Sequence, residues 1–97
     1  MTYRLSSAAQ FDLFRIAFDG LDLFGARQVA KYETGLKHTL DVLAQYPRAA
    51  PERDEYSPPV RIHPFQAHVI VFRIEDNDDI FILRICHARE DWTRLEP

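Results

Sequence analysis

Apolar side chains recur every three or four residues through the first half of the chain, which is the period of an α-helix. Ser6 and Ser7 precede this pattern, and serine is a favoured residue at helix N-termini. One apolar series forms a core stripe (Ala9, Leu13, Ile16, Ala17), and a second series lies beside it (Phe11, Phe14, Phe18, Leu21). The predicted first helix is therefore apolar over more than one face and should be buried on two sides.

Two glycines weaken the end of this helix, because glycine is less favourable than alanine inside a helix by about 1 kcal/mol. They are Gly20 and Gly25, and we predict the turn near Gly25. A second amphipathic helix is predicted over residues 26–45, and Pro47 ends it because proline cannot continue the hydrogen-bond ladder. The short connection predicts an antiparallel helical hairpin.

The rest of the chain has the alternation of β-strands. A short strand is predicted at residues 2–5, before the first helix. A proline-rich surface loop follows the second helix at residues 46–59, and three strands come after it, at residues 60–65, 68–75 and 80–87. A polar turn at residues 76–79 joins the last two strands. Alternation in the last strand predicts that one face carries Phe81, Leu83, Ile85 and His87.

These elements predict a single α+β domain over residues 1–97, in which a helical hairpin packs on a small antiparallel β-sheet in the order β-α-α-β-β-β. The first strand must pair within that sheet, because a lone four-residue strand is not stable. Both faces of the last strands are apolar, which predicts that something covers the second face as well.

Composition excludes several classes of protein. No run of about 20 apolar residues is present and no secretory leader is recognisable, so we expect a soluble, cytoplasmic protein with no membrane contact. The net charge of −3 disfavours indiscriminate nucleic-acid binding, which depends on neutralised phosphates. Cys86 is the one cysteine, so no intrachain disulfide can form, and a buried inert thiol is expected.

A set of residues distributed over essentially the whole chain matches a known bacterial family: Tyr3-Arg4-Leu5-Ser6 with Ala9, Asp12-Leu13 and Ile16; Phe24-Gly25 with Ala30, Tyr32, Leu36 and Leu40; Leu43 with Pro47-Arg48; Arg53; Val60-Arg61; His68 with Val71-Phe72-Arg73; and Leu83-Arg84-Ile85 with His87, Arg89 and Asp91-Trp92. These residues and the order of the elements resemble the ParE branch of the RelE/ParE superfamily of bacterial toxins. The chain departs from the family in its acidity, in its three helix phenylalanines and in Gln66-Ala67, where a glycine-containing turn is more typical.

The resemblance implies a toxin of a type II toxin–antitoxin module that inhibits DNA gyrase by protein–protein contact and so blocks replication. It further implies neutralisation by a cognate antitoxin similar to ParD, in a heterotetramer with that antitoxin, with DNA contacted only indirectly through antitoxin or gyrase. No cofactor is expected. Two alternatives stay open at this point: a ribosome-dependent mRNA endonuclease of the RelE type, and a non-toxic module that only pairs with its antitoxin.

An RNA-cleaving relative would need a general base and cations around the phosphate. The candidates for these roles are Arg61, Arg73, Arg84 and His87. We interpret them as structural or partner-binding groups and assign no catalytic residues, because the cluster lacks lysine and the neighbouring Glu90 and Asp91 would repel RNA. Metal binding is not expected either, because His38, His63 and His68 lack further ligands at a matching spacing.

Two binding surfaces are predicted. The second apolar series of the first helix, together with the outer face of the sheet, is predicted to form an apolar groove for an amphipathic antitoxin segment, through Phe11, Phe14, Phe18, Leu21, Val69 and Val71. The end of the chain is predicted to contact the target enzyme through Arg89, Trp92 and Arg94, since aromatic and guanidinium groups dominate binding hot spots. Packing of this end back onto the domain is the alternative.

Overall fold

The computed structural model describes residues 2–89. Its elements are β1 (Tyr3–Leu5), α1 (Ser7–Phe24), α2 (Ala26–Gln45), a short 3-10 helix (Pro47–Ala49), β2 (Glu52–Arg53), β3 (Val60–Phe65), β4 (His68–Ile74) and β5 (Ile80–His87). The predicted bounds of α2, β3 and β5 are confirmed, and the two helices form the predicted hairpin on one face of the sheet.

The strands form one sheet in the order β1-β5-β4-β3-β2. The antiparallel meander β3-β4-β5 is as predicted, whereas β1 pairs with β5 in parallel, so the sheet is mixed. The two-residue strand β2 lies inside the predicted loop and pairs with β3 through Glu52 and Arg61. The helical hairpin thus connects β1 to a meander whose last strand returns to lie beside it.

Ser6 joins the start of α1 to the sheet. Its hydroxyl accepts a hydrogen bond from the Ala9 backbone N–H at 2.9 Å, as a helix cap does, and donates one to the Leu83 carbonyl at 2.7 Å. Gly25 ends α1 with a positive φ of 84°, a conformation that glycine adopts without steric cost. The turn between the helices lies where the sequence predicts it.

Helix α1 continues through Gly20, where the sequence suggested a weak point. The two helices approach closely there, because a Cβ atom on Gly20 would lie 2.9 Å from Cγ2 of Val29. The absence of a side chain is therefore a packing requirement of the hairpin.

The close approach at Gly20 predicts that the effect of Gly20→Ala on stability changes sign when Val29 is shortened. We expect Gly20→Ala to lower the free energy of unfolding by about 1 kcal/mol, because overpacking outweighs the gain in helix propensity. In a Val29→Ala background the same change should raise it by about 1 kcal/mol, since the clash is gone. Urea denaturation of the four proteins checks both signs, and stabilisation by Gly20→Ala in both backgrounds would contradict the packing explanation.

The main core lies between the helices and the sheet. It is built from helix leucines and from strand residues of one face, among them Leu36, Leu40, Leu43, Ile70, Phe72, Ile80, Ile82 and Ile85. A smaller cluster of Val60, Val71 and Leu83 lies on the opposite face, where Tyr56 of the loop packs against it. The second apolar face is therefore partly covered by the protein itself.

A one-residue irregularity in β5 changes which side chains face the helices. Phe72 pairs with Ile82 but Val71 pairs with Arg84, so Leu83 has no register partner. An extra residue reverses the alternation beyond it. The prediction that Phe81, Leu83, Ile85 and His87 share a face is therefore wrong: Phe81 and Leu83 belong to the outer cluster, whereas Ile85 belongs to the main core.

Cys86 is buried, as predicted. Within the part of the chain that the structure describes, neither helix has the length and apolar character needed to cross a membrane.

Candidate interaction surfaces

An exposed apolar stripe on α1 is the most prominent surface feature. It consists of Phe11, Phe14, Phe18 and Leu21, which are 60%, 63%, 61% and 49% exposed. The aromatic rings stack along the helix, with centroids 6.5 Å apart for the first pair and 6.0 Å for the second. Leu23 and Phe24 are also exposed, but they lie on another side of the helix, where they line a cleft with Tyr32 and His68. The prediction that a second face of α1 is apolar is confirmed, but in the isolated chain this face is open to solvent.

The apolar stripe and the outer sheet face do not form one groove. Val71 is buried in the outer cluster on the face opposite the helices, and Val69 lies half-buried beside it, paired with Cys86. The stripe lies on the far side of the helical layer, because Ala9, Leu13 and Ile16 of the same helix face the core. A single antitoxin groove containing all six predicted residues is therefore ruled out, and the four residues of α1 make a surface of their own.

The four candidate catalytic groups are distributed over different parts of the sheet. Arg61 pairs with Phe72 on the helix-facing side and donates to the Ala50 carbonyl at 2.7 Å. Arg73 lies on the other face, with its guanidinium carbon 5.1 Å from the centroid of the Phe81 ring. Arg84 is held by Asp12, and its side chain is only 16% exposed. The structure therefore does not bring these arginines together around one phosphate-sized site.

The Asp12–Arg84 pair connects α1 to β5 beyond the point where β1 ends. The Arg84 guanidinium donates from Nε at 2.7 Å and from Nη2 at 2.8 Å to the two carboxylate oxygens. The Ile85 backbone N–H donates to the same carboxylate at 2.9 Å. Bidentate geometry of this kind is among the strongest hydrogen-bonded arrangements in proteins. Arg84 thus has a structural role, as the sequence interpretation proposed.

His87 lies in a cleft of about 600 Å³ between the two helices and the ends of β4 and β5. Its ring centroid is 5.5 Å from that of His68, and His68 Nδ1 is 2.5 Å from the Tyr32 hydroxyl. Burial raises the pKa of Tyr32 above the ordinary value of a tyrosine, at which the phenol is already protonated near neutral pH. Apolar side chains, including Ile16, Val29 and Phe24, line much of the remaining wall. This cleft could hold an inserted side chain from a partner.

Sequence reasoning did not identify this cleft. The turn between β4 and β5 places Ile74 opposite Ile80. If the register continued from there without interruption, His68 would lie opposite Cys86. The unpaired Leu83 shifts the register by one residue and brings His68 opposite His87. Tyr32 lies within the predicted second helix, and no local pattern signals its contact with His68.

Comparison with known proteins identifies the family. The model of a family described as the ParE toxin of the type II toxin–antitoxin system parDE matches residues 3–92. This chain belongs to the ParE toxin family. The suspected relationship is confirmed over nearly the whole sequence, and the protein is a ParE-type toxin of a type II toxin–antitoxin system.

Individual relatives agree with this assignment. Toxin ParE1 of Mycobacterium tuberculosis, found in two strains, is 33% identical over 92 residues, covering 95% of this chain and 94% of the relative. A solved structure of the chromosomal ParDE TA system from P. aeruginosa contains a chain that superposes with a TM-score of 0.78 at 23% identity, covering 92% of this chain and 97% of that one. At this identity the structural match establishes that the ParE-type toxin shares the fold.

The remaining predicted sites of this ParE-type toxin are only partly described. Arg89 is exposed, and its backbone N–H donates to His87 Nδ1 at 3.1 Å. Trp92 and Arg94 lie outside the described residues. Among residues 2–89, His, Cys, Asp and Glu side chains form no group of three with the geometry of a metal site.

Proposed function

We propose that this ParE-type toxin inhibits DNA gyrase by protein–protein contact in the bacterial cytoplasm and is neutralised by a cognate antitoxin that covers the apolar stripe on α1. The observation that supports an antitoxin partner is the stripe itself, because soluble proteins rarely leave three stacked phenylalanines open to water unless a partner binds there. The family's description as a component of toxin–antitoxin systems supports an antitoxin as that partner.

A mode of action by contact rather than by catalysis is supported by the arrangement of the charged groups. RNA cleavage would need a base and cations converging on one phosphate. In this protein Arg61 and Arg73 lie on opposite faces of the sheet, and the charge of Arg84 is neutralised by Asp12. No described feature favours the RelE type of activity.

An amphipathic helix of the antitoxin is the occupant that fits the stripe. The four side chains extend over about three turns of α1, roughly 15 Å at 1.5 Å per residue. Acidic and basic side chains are mixed along the neighbouring helix, as with Glu33 and Lys37 at a shallow groove beside Phe14. Binding should therefore depend on apolar contact and vary little with salt concentration. A heterotetramer of toxin and antitoxin is the assembly that we propose.

The contact with gyrase is assigned to the end of the chain. Arg89 is exposed after the last strand, and the sequence continues with Trp92 and Arg94. Tryptophan and arginine are the residue types most enriched in binding hot spots. This surface is separate in sequence from the apolar stripe.

A gyrase assay set against a translation assay tests the proposal. We expect the purified toxin to inhibit supercoiling and to accumulate cleaved DNA, and to leave mRNA on ribosomes intact. Trp92→Ala with Arg94→Ala should weaken inhibition at least about tenfold, because hot-spot residues contribute more than 1 kcal/mol each.

Arg48→Ala serves as the matched control, since it removes an exposed guanidinium that is not among the proposed contact residues, and it should inhibit gyrase like wild type. Cleavage of mRNA by wild type that His87→Ala abolishes would overturn the assignment in favour of an endonuclease. Absence of both activities, with no growth arrest on expression, would leave a module that only binds its antitoxin and would equally overturn the proposed toxicity.

A further inference from the structure

The apolar stripe has the spacing of a helix-pairing seam. Phe11, Phe14, Phe18 and Leu21 are separated by three, four and three residues, which matches alternating a and d positions of a heptad. Side chains at this spacing interlock with an equivalent series on a second helix that crosses at a shallow angle. The stripe is therefore suited to helix-on-helix contact and complementary to a copy of itself.

We propose that, without antitoxin, two copies of this chain associate through α1 as an antiparallel pair related by a two-fold axis. Phe14 of each copy then packs against Phe18 of the other, and Phe11 packs against Leu21, so the four central rings form one cluster. The inference depends on the stripe and its flanking charges, and it stands whether or not gyrase is the target.

The charges beside the stripe favour the antiparallel direction. Arg15 and Asp22 follow Phe14 and Leu21 and so occupy the two e positions of the heptads. In an antiparallel pair the e positions of one helix face the e positions of the other, so Arg15 of each copy lies beside Asp22 of the other. The two-fold axis therefore produces two equivalent ion pairs. A parallel pair would bring e beside g, which places Arg15 near Gln10 and Asp22 near Ala17 without any ion pair.

Both charged side chains are available for this contact. Arg15 and Asp22 are exposed on α1, and within residues 2–89 neither forms an ion pair. The dipoles of two antiparallel helices also place the positive end of each beside the negative end of the other. Charge pattern and helix dipole thus select the same arrangement.

The fold leaves room for the second copy. The residues of α1 that face the sheet, Ala9, Leu13 and Ile16, lie on the other side of the helix from the stripe. The two sheets of the pair would therefore lie on the outer sides of the paired helices, where they do not collide.

The size of the contact predicts a reversible dimer. Fully buried aromatic side chains each remove roughly 150–250 Å² from water, so the four side chains of the stripe, which are about half exposed, contribute on the order of 400 Å² per copy. Stable complexes bury about 800 Å² per partner. Dissociation in the micromolar range is expected, weak enough for an antitoxin to displace the second copy.

Sedimentation equilibrium of the full chain, made by cell-free synthesis and studied from about 1 to 100 µM, tests the proposal. Wild type should dissociate within this range, and Arg15→Asp and Asp22→Arg should each weaken the dimer about tenfold, because each removes two symmetry-related ion pairs and adds repulsion. The double variant R15D/D22R should restore wild-type affinity, since it exchanges the two charges. Circular dichroism confirms that all three surface variants fold.

A wild-type protein that stays monomeric over the whole concentration range overturns the proposal. This holds even if Phe14→Asp abolishes antitoxin binding, because that result would show only that the antitoxin binds the stripe. A dimer whose affinity neither single exchange alters overturns it too, as does a double variant that is weaker than both single variants. Failure of the gyrase assay has no bearing on these outcomes, so the two proposals fail separately.

Discussion

Replacement of Phe14 by aspartate is expected to weaken antitoxin binding by at least about 30-fold, which corresponds to about 2 kcal/mol, the threshold for a hot-spot residue. Phe14 is the central ring of the stacked series and is 63% exposed in the isolated chain. A carboxylate at its position would be desolvated by the bound antitoxin, which is unfavourable. Isothermal titration calorimetry with purified antitoxin measures the change.

The matched control for this variant is Val42→Asp. Val42 is an exposed apolar residue on α2 at 41% exposure, outside the stripe, so the same introduction of charge should change antitoxin affinity by less than about twofold. Both variants should keep the free energy of unfolding within about 0.5 kcal/mol of wild type, because the changed side chains are at the surface. Unaltered antitoxin affinity in Phe14→Asp would remove the stripe from the proposed interface.

Loss of the Asp12 carboxylate is expected to cause the largest fall in stability. Asp12→Ala leaves a largely buried guanidinium on Arg84 and a buried N–H on Ile85 without their acceptor. Removing one partner of a buried ion pair costs about 3–5 kcal/mol, a large part of the total stability of a small domain. The melting temperature should fall by roughly 15 °C or more, and thermal unfolding followed by circular dichroism measures it.

Two controls separate the buried pair from ion pairs in general. Arg48 and Asp78 form an exposed pair at 3.1 Å, and Arg48→Ala should alter the free energy of unfolding by less than about 1 kcal/mol. Asp12→Leu combined with Arg84→Met should be less destabilising than Asp12→Ala, because no charge stays buried. A loss below about 1 kcal/mol in Asp12→Ala would show that water or another group replaces the carboxylate.

Local signals predicted much of the fold. The bounds of α2 follow from Gly25 before it and Pro47 after it, because each of these residues disfavours continuation of a helix. The hairpin between β4 and β5 follows from the polar turn at residues 76–79, flanked by alternating apolar residues. Gly20 was misread, because its effect comes from Val29 on the other helix and not from intrinsic helix propensity.

The predicted binding residues were only partly brought together. The apolar series on α1 could be recognised because its members follow one another on a single helix. Their combination with Val69 and Val71 was wrong, because the sequence does not indicate which face of the sheet the helices cover. Arg61 and Arg73 lie on opposite faces because Arg61 pairs with Phe72, the residue before Arg73, and neighbouring residues of a strand alternate between faces.

The sequence alone determined the helical hairpin, the three-strand meander and the second apolar face of α1, because each depends on residues close together along the chain. Only the tertiary structure decided the parallel pairing of β1 with β5, the unpaired Leu83, the cleft around His68 and His87, and the Asp12–Arg84 pair, which joins residues 72 positions apart. Such contacts form when whole layers pack, and their free energy depends on burial and register across the sheet, which no local pattern of residues encodes.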